Sequence, residues 1–408
     1  MTAAALLARA GLDVLVLERR GQPGGAMATD ELFPGYRFST CAYALHLLHE
    51  HVASELELEL DLLEPLEAIV VLPDGTVARP DEGGAKKLGD LDGWRTWDGE
   101  WGEVARLVDA TLLGPPPAWN DLAARTRFDS LSMNDLLHER FSSADARILF
   151  SRPYFEGDPD ERGGPLAYAY VETSRCRDQR WQGVPRGGMG TVADAFARAA
   201  ERAGARLQTA TEVRQFLGAG VMLGDGTRLK ARAVVDNTAP PDPRPRGPEA
   251  AKIHCALDGA PDVRLLGVEP EELGVVHVYA DGGSFVELQL PSFRDPSLAP
   301  PRCHTLSVFA PDGRVDALRL AERAIPNLRE LLLDVTIHDA DTIERETGLP
   351  RGQIHHVPHV PSAMYDRRGG ARTDVDLLYR CGSAAHPGGE VSGVPGWNAA
   401  QAVLEDLS

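Results

Sequence analysis

The opening run MTAAALLARAGLDVLVLERRGQPGG constrains the fold more than any other stretch of the chain. Ala3 to Ala10 has a helical pattern closed by Gly11, a good C-terminal stop. Val14-Leu15-Val16-Leu17 follows as a continuous apolar run, which predicts a strand buried on both faces of a parallel sheet. Glu18 ends that strand, and Gly21, Pro23, Gly24 and Gly25 make a loop of little side-chain bulk. Helix, buried strand and terminal acid form the second half of a nucleotide-binding unit, in which the acid accepts hydrogen bonds from ribose hydroxyls. Alone, Glu18 would be a polar residue ending a strand; the glycines that follow, which let backbone approach a bulky ligand, favour the cofactor reading. A strand and a glycine-rich turn are expected ahead of that helix.

The far end has the same style. LLYRCGSAAHPGGEVSGVPGWNAAQAVLEDL predicts a buried strand, a loop with Gly382, Gly388, Gly389, Gly393 and Gly396, and a helix beginning near Pro395. The positive end of that helix dipole would favour the negative charge a flavin gains at its N1–C2=O edge on reduction. Two glycine-rich loops at opposite ends of the chain therefore serve one cofactor, on a sheet discontinuous in sequence.

Between them, AIVVLPDGTVARP and GVMLGDGTRLKARAVVDN are hairpins turning at Asp74-Gly75 and Gly224-Asp225-Gly226. LGVVHVYA and FVELQL are strands, while ALRLAERAI and NLRELLLDVTI are helix or apolar core. GVPRGGMGTVADAFARAAERAGARL is a tight glycine turn feeding an Ala-rich helix, with no buried strand leading in. RPRGPE at 244–249 is the expected crossing between lobes.

Composition excludes several classes. A net charge of −19 would repel nucleic acid. Basic charge is almost all Arg, a coding bias that suggests a bacterial source. Cys41, Cys176, Cys255, Cys303 and Cys381 are odd in number and far apart, against a disulfide framework or dithiol centre and in favour of a reducing cytoplasm. No apolar run reaches the roughly 20 residues that span a bilayer. Neither HLLHEHV (His46, His49, His51) nor QIHHVPHVPS (His355, His356, His359) matches a metal template, so no metal is expected. His386, inside the last loop, is a weak catalytic candidate; its bland alternative is a hydrogen bond to backbone.

At these residues the chain resembles the FAD-dependent phytoene desaturase-like oxidoreductases, most closely the pyridine nucleotide-disulfide oxidoreductase domain-containing protein 2 branch. AALLARAGLDVLVLERRGQPGGA, PRGGMGTVADAFARAAERAGA, VMLGDGTRLKARAVV, LPSFRDPSLAPP, GLPRGQI and LYRCGSAAHPGGEVSGVPGWNAA carry the likeness, in order and nearly end to end. The resemblance implies an α/β fold: a Rossmann-like FAD-binding domain of the glutathione reductase/amine oxidase type from 1–55, 181–248 and 346–408, lacking its first strand here. An α+β substrate domain is inserted at 56–180 and 249–345. It further implies that Glu18 with Arg19 meets the adenosine ribose, Gly24 and Gly25 lie near the pyrophosphate or isoalloxazine, and Val213 touches adenine through its backbone. Gly382 and Ser383 would meet the ribityl-pyrophosphate region, and Gly389, Ser392, Gly393 and Val394 would line the flavin. The expected activity is hydride transfer from a small apolar substrate, isoprenoid or polyene in kind, to FAD, with oxygen or quinone reoxidising it. A cytoplasmic protein with peripheral membrane contact fits such a substrate. The alternatives are a flavin-dependent double-bond isomerase and a flavin-free scaffold.

Two departures stand out. Glu390 replaces a glycine common in the family, and an acid there is expected to disfavour the anionic reduced flavin. The family's G-x-G-x-x-G would end immediately before Met1, so the chain as it stands is expected to bind FAD weakly and to be less stable. The start of the reading frame is then assigned too late. In-frame codons upstream of Met1 are expected to encode an apolar strand and a glycine turn, and genomic sequence lacking both would refute this.

Overall fold

Small residues let the first and last helices touch. In the computed structural model, which describes residues 1–153, 155–238, 250–311, 316–353 and 355–408, helix Thr2–Arg9 packs on helix Val394–Leu407 and on helix Gly190–Arg202. Ala3, Ala4, Ala5 and Ala8 are buried there. A methyl at Gly396 would lie 2.8 Å from Thr2 Cβ, closer than two side chains approach. Opposite ends of the chain thereby share one core. The crossing expected at 244–249 lies outside the described residues.

Beneath these helices the parallel sheet is divided. Strand Leu15–Leu17 pairs with Arg206–Gln208, and Val234–Asp236 pairs with Leu378–Arg380; among the described residues no strand joins the two pairs. This corrects the expectation of a strand buried on both faces: Leu15 remains 37% exposed, in a strand that has a single neighbour among the described residues. The 213–230 segment forms a three-stranded meander, turning between Gly220–Leu223 and Arg228–Lys230 where the Gly-Asp-Gly signal stands.

The remaining sheet has seven strands in the order Leu332–His338, Ala251–Leu257, His304–Ala310, Phe285–Gln289, Val276–Tyr279, Ile69–Val71, Val77–Ala78. All neighbours are antiparallel except Val276–Tyr279 with Ile69–Val71. NLRELLLDVTI splits into a single helical turn, Leu328–Leu331, and an edge strand. Its Val335-Thr336-Ile337 is β-branched and suits a pleated surface. Away from the exposed edge strand Leu332–His338, both faces of this sheet are buried, with opposite chemistry. Ile253, Cys255, Val278, Val286, Leu288 and Val308 build an apolar core on one side. Lys252, His254, His277, Glu287, Gln289 and Ser307 are buried on the other, which meets the segment from Ser39 to Tyr43. No helix is long and apolar enough to cross a membrane among the described residues.

Two glycines predict changes of opposite sign. Gly396→Ala forces the end helices apart and is expected to cost about 1–3 kcal/mol, beyond its helix-propensity gain of about 1. Gly99→Ala, in helix Leu91–Asp109 with nothing within 4 Å of the added methyl, is expected to stabilise by about 0.5–1 kcal/mol. Melting temperatures of the two variants check the pair.

Candidate active site

Glu18 stands at the end of Leu15–Leu17, its N–H donating to Gln208 O at 2.9 Å and its carbonyl accepting from Thr211 at 2.8 Å. One carboxylate oxygen accepts from the Arg20 N–H at 2.7 Å. Arg19 points elsewhere: its guanidinium donates to the carbonyls of Arg345 at 2.8 Å and Glu346 at 3.3 Å, in the last turn of helix Ala340–Thr347. Gly24 packs on Ala193, and Gly25 opens a short turn whose Ala26 carbonyl accepts from the Ala42 N–H at 3.0 Å. Val213 begins the first meander strand, two residues after Thr211.

In the last loop the Cys381 N–H donates to Asp236 O at 2.8 Å, seating Gly382 on Asn237. At φ +79°, with Asn237 Oδ1 2.4 Å from where a Cβ would stand, only glycine fits. Ser383 O accepts from Arg368 at 2.6 Å and Gly389 O from the Tyr170 hydroxyl at 2.8 Å. Ser392 O accepts from the His49 N–H at 3.1 Å, Gly393 packs on Val52, and Val394 starts the final helix. His386 is buried with Nε2 3.2 Å from Thr111 O, and burial lowers its pKa to about 4. It is thus a neutral ring donating to backbone. The Gly187–Gly190 turn is equally occupied: the Met189 and Gly190 N–H groups donate to Ser39 Oγ (3.0 Å) and Thr29 Oγ1 (2.8 Å).

Glu390 does not project alone toward a cofactor. It is ion-paired with His355 Nε2, while His355 Nδ1 lies 3.2 Å from Glu156 Oε2; Glu156 and His355 are buried and Glu390 is half-buried. Burial alone would depress the His355 pKa, but the two carboxylates overcome it and hold it at about 10; both carboxyls are lowered in return, against their own desolvation. An imidazolium between two carboxylates pairs Glu390 locally, while the trio as a whole keeps one negative charge. The donor atoms of Glu156, His355 and His359 lie within 4.8 Å of one another, a grouping that histidine spacing did not disclose. The two rings, however, stack at 4.3 Å and 19°, which sets their lone pairs side by side instead of converging on one point.

Facing this loop, the polar side of the seven-stranded sheet closes a cavity of about 100 Å³, lined by Tyr43, His46, Gln289, Ser307, Leu63 and Leu290 among others. Lys252 Nζ donates to the carbonyls of Ser39 (3.1 Å) and Cys41 (2.6 Å), fixing the wall; burial brings its pKa to about 8. Glu287 bonds Gln289 (2.5 Å), His277 (3.1 Å) and the Tyr43 hydroxyl, and burial raises it to about 7. A larger hollow of about 660 Å³ lies between Pro261 and Asn327; neither hollow is lined by residues of the Gly24–Gly25 or Gly382–Val394 loops.

The model of the flavin containing amine oxidoreductases matches residues 1–404. The chain belongs to that family. It is an FAD-dependent oxidoreductase, with a Rossmann-like FAD-binding domain and a substrate domain. Pyridine nucleotide-disulfide oxidoreductase domain-containing protein 2 of Mus musculus is 26% identical over 100% of this chain and 92% of the relative. Hydroxyneurosporene desaturase of Cereibacter sphaeroides is also 26% identical, over 100% and 96%. Cyclohexylamine oxidase from Brevibacterium oxydans shares the fold at TM-score 0.62 and 19% identity, covering 100% of this chain and 96% of that one. A putrescine oxidase triple mutant does so at 0.67 and 18%, covering 100% and 95%.

Sequence reasoning singled out the glycine loops and passed over Tyr43, Glu156, Lys252 and Glu287. His355→Gln tests the buried trio. The stabilisation by His355 is complete below its ordinary pKa of 6.5 and fades as pH rises through about 10, while that of the carboxylates is present above 4.5. The variant's loss, about 3–5 kcal/mol, is therefore expected to be largest between pH 4.5 and 6.5 and to shrink toward pH 10, read from urea midpoints across that range.

Proposed function

We propose that the protein dehydrogenates a small, largely apolar substrate in the cavity under the polar sheet face. The observation that carries this is the cavity's position between the loops: Ala42, beside the lining residue Tyr43, bonds Ala26 of the first loop, while Tyr43 and His46 of the lining feel the charge of Glu390 in the last. Glu18 would hold the adenosine ribose with its remaining carboxylate oxygen, Gly24, Gly25, Gly382 and Ser383 would lie along the pyrophosphate and ribityl chain, and Gly389 with Ser392 to Val394 would border the isoalloxazine. The fit is supported by a strand-end acid with an oxygen to spare and by the start of a long helix at the end of the last glycine loop. It is also supported by the His359 ring nitrogens, which are buried without a hydrogen-bond partner. A strand between the two parallel pairs would unite them into one sheet, as the resemblance implies.

Bound FAD supplies an acceptor for substrate hydride, and oxygen or a quinone would take the electrons onward. The chain's part is positioning. Tyr43 and Gln289 present polar atoms to the substrate, His386 and Arg368 brace the loop, and Leu63, Leu66 and Leu290 exclude water.

Reconstitution with FAD is the test. The protein is expected to acquire the visible absorbance bands of an oxidised flavin, and Glu18→Ala to weaken FAD binding by about ten- to a hundredfold, the value of roughly 1.5–3 kcal/mol of charged hydrogen bonding. A protein that stays colourless would favour the scaffold alternative. Turnover without consumption of an acceptor would favour the isomerase.

A further inference from the structure

The residues around the cavity do not share the chain's acidity. The protein carries 61 aspartates and glutamates against 42 lysines and arginines, yet none of the residues lining the cavity is an aspartate or glutamate, and two are arginines, Arg37 and Arg294. Arg37 is exposed, on strand Tyr36–Ser39, and makes no hydrogen bond or ion pair among the described residues. Its cross-strand neighbour Glu31 spends its carboxylate on the Gly35 N–H at 3.0 Å. Arg294 gives one Nη1 hydrogen to Glu64 O at 2.7 Å, and Glu64 is the acid it feels beyond the rim; its other donors remain available. Guanidinium groups present paired donors that match a carboxylate. The rest of the lining divides into an apolar part, including Leu63, Leu66, Leu290 and Leu298, and the polar sheet face at Gln289 and Ser307.

We infer that the substrate is an organic anion with an apolar body, its acidic group held by Arg37 and Arg294 and its chain laid against the leucines. This rests on the proposed function and narrows it. A bare hydrocarbon would leave both guanidiniums without use, and an amine, which the names of the two structural relatives specify for those proteins, would meet like charge.

Calorimetric titration of the FAD-reconstituted protein with hexanoate, 1-hexanol and hexylamine, three probes of one chain length, decides the matter. Hexanoate is expected to bind about tenfold more tightly than hexanol, and hexylamine more weakly than either. Arg37→Gln and Arg294→Gln should each bring hexanoate close to hexanol, Arg37→Lys should restore part of the difference, and added salt should erode it. Absence of hexanoate binding, equal binding of hexanol or hexylamine, or an undiminished preference in both glutamine variants would overturn the inference. Flavin absorbance read in the same samples separates the two claims. A hexanoate preference without flavin sinks the cofactor placement and leaves the anion site standing, and flavin without the preference does the reverse.

Discussion

Contact between the first and last helices is the constraint on which the rest depends. The alanines of Thr2–Arg9 and the glycine at 396 allow two backbones to approach as no branched side chain would permit. Through that contact the loop after Leu15–Leu17 and the loop before Val394 come to one side of the molecule. The His49 N–H bond to Ser392 O and the seat of Gly393 on Val52 repeat the connection through a third segment. Glycine in these loops serves close packing of protein on protein as much as access for a ligand.

The seven-stranded sheet supplies the second element. A sheet with a wet face would expose Lys252, His254, Glu287 and Gln289; here they are covered, and each has to find partners indoors. Their solutions are specific: carbonyls for Lys252, Ser307 for His254 at 2.9 Å, and Tyr43, His277 and Gln289 for Glu287. Buried polar groups held by such partners stiffen a wall, and stiffness is what positioning a substrate requires.

Local signals were readable and distant ones were not. Asp-Gly and Gly-Asp-Gly turns announced their hairpins because turn chemistry is contained within a few residues. The alternation in Lys252-Ile253-His254-Cys255 looks the same whether its polar face meets water or another domain, so the inner face of the sheet stayed hidden. Glu390 looked like a lone acid near a cofactor because His355, which pairs with it, and Glu156, which shares that histidine, lie 35 or more positions away in the chain. Leu332–His338 was ambiguous for a further reason: a short apolar run suits a helix or a strand, and pairing with Ala251–Leu257 settles it.

Lys252 links the two halves mechanically. Its ammonium grips the carbonyls of Ser39 and Cys41, immediately ahead of Tyr43, from the floor of a sheet five of whose seven strands come from the second half of the chain. Any hinge that let the halves part would tear that grip first and swing Tyr43 out of register with Gln289. The aperture and the chemistry behind it therefore move as one body.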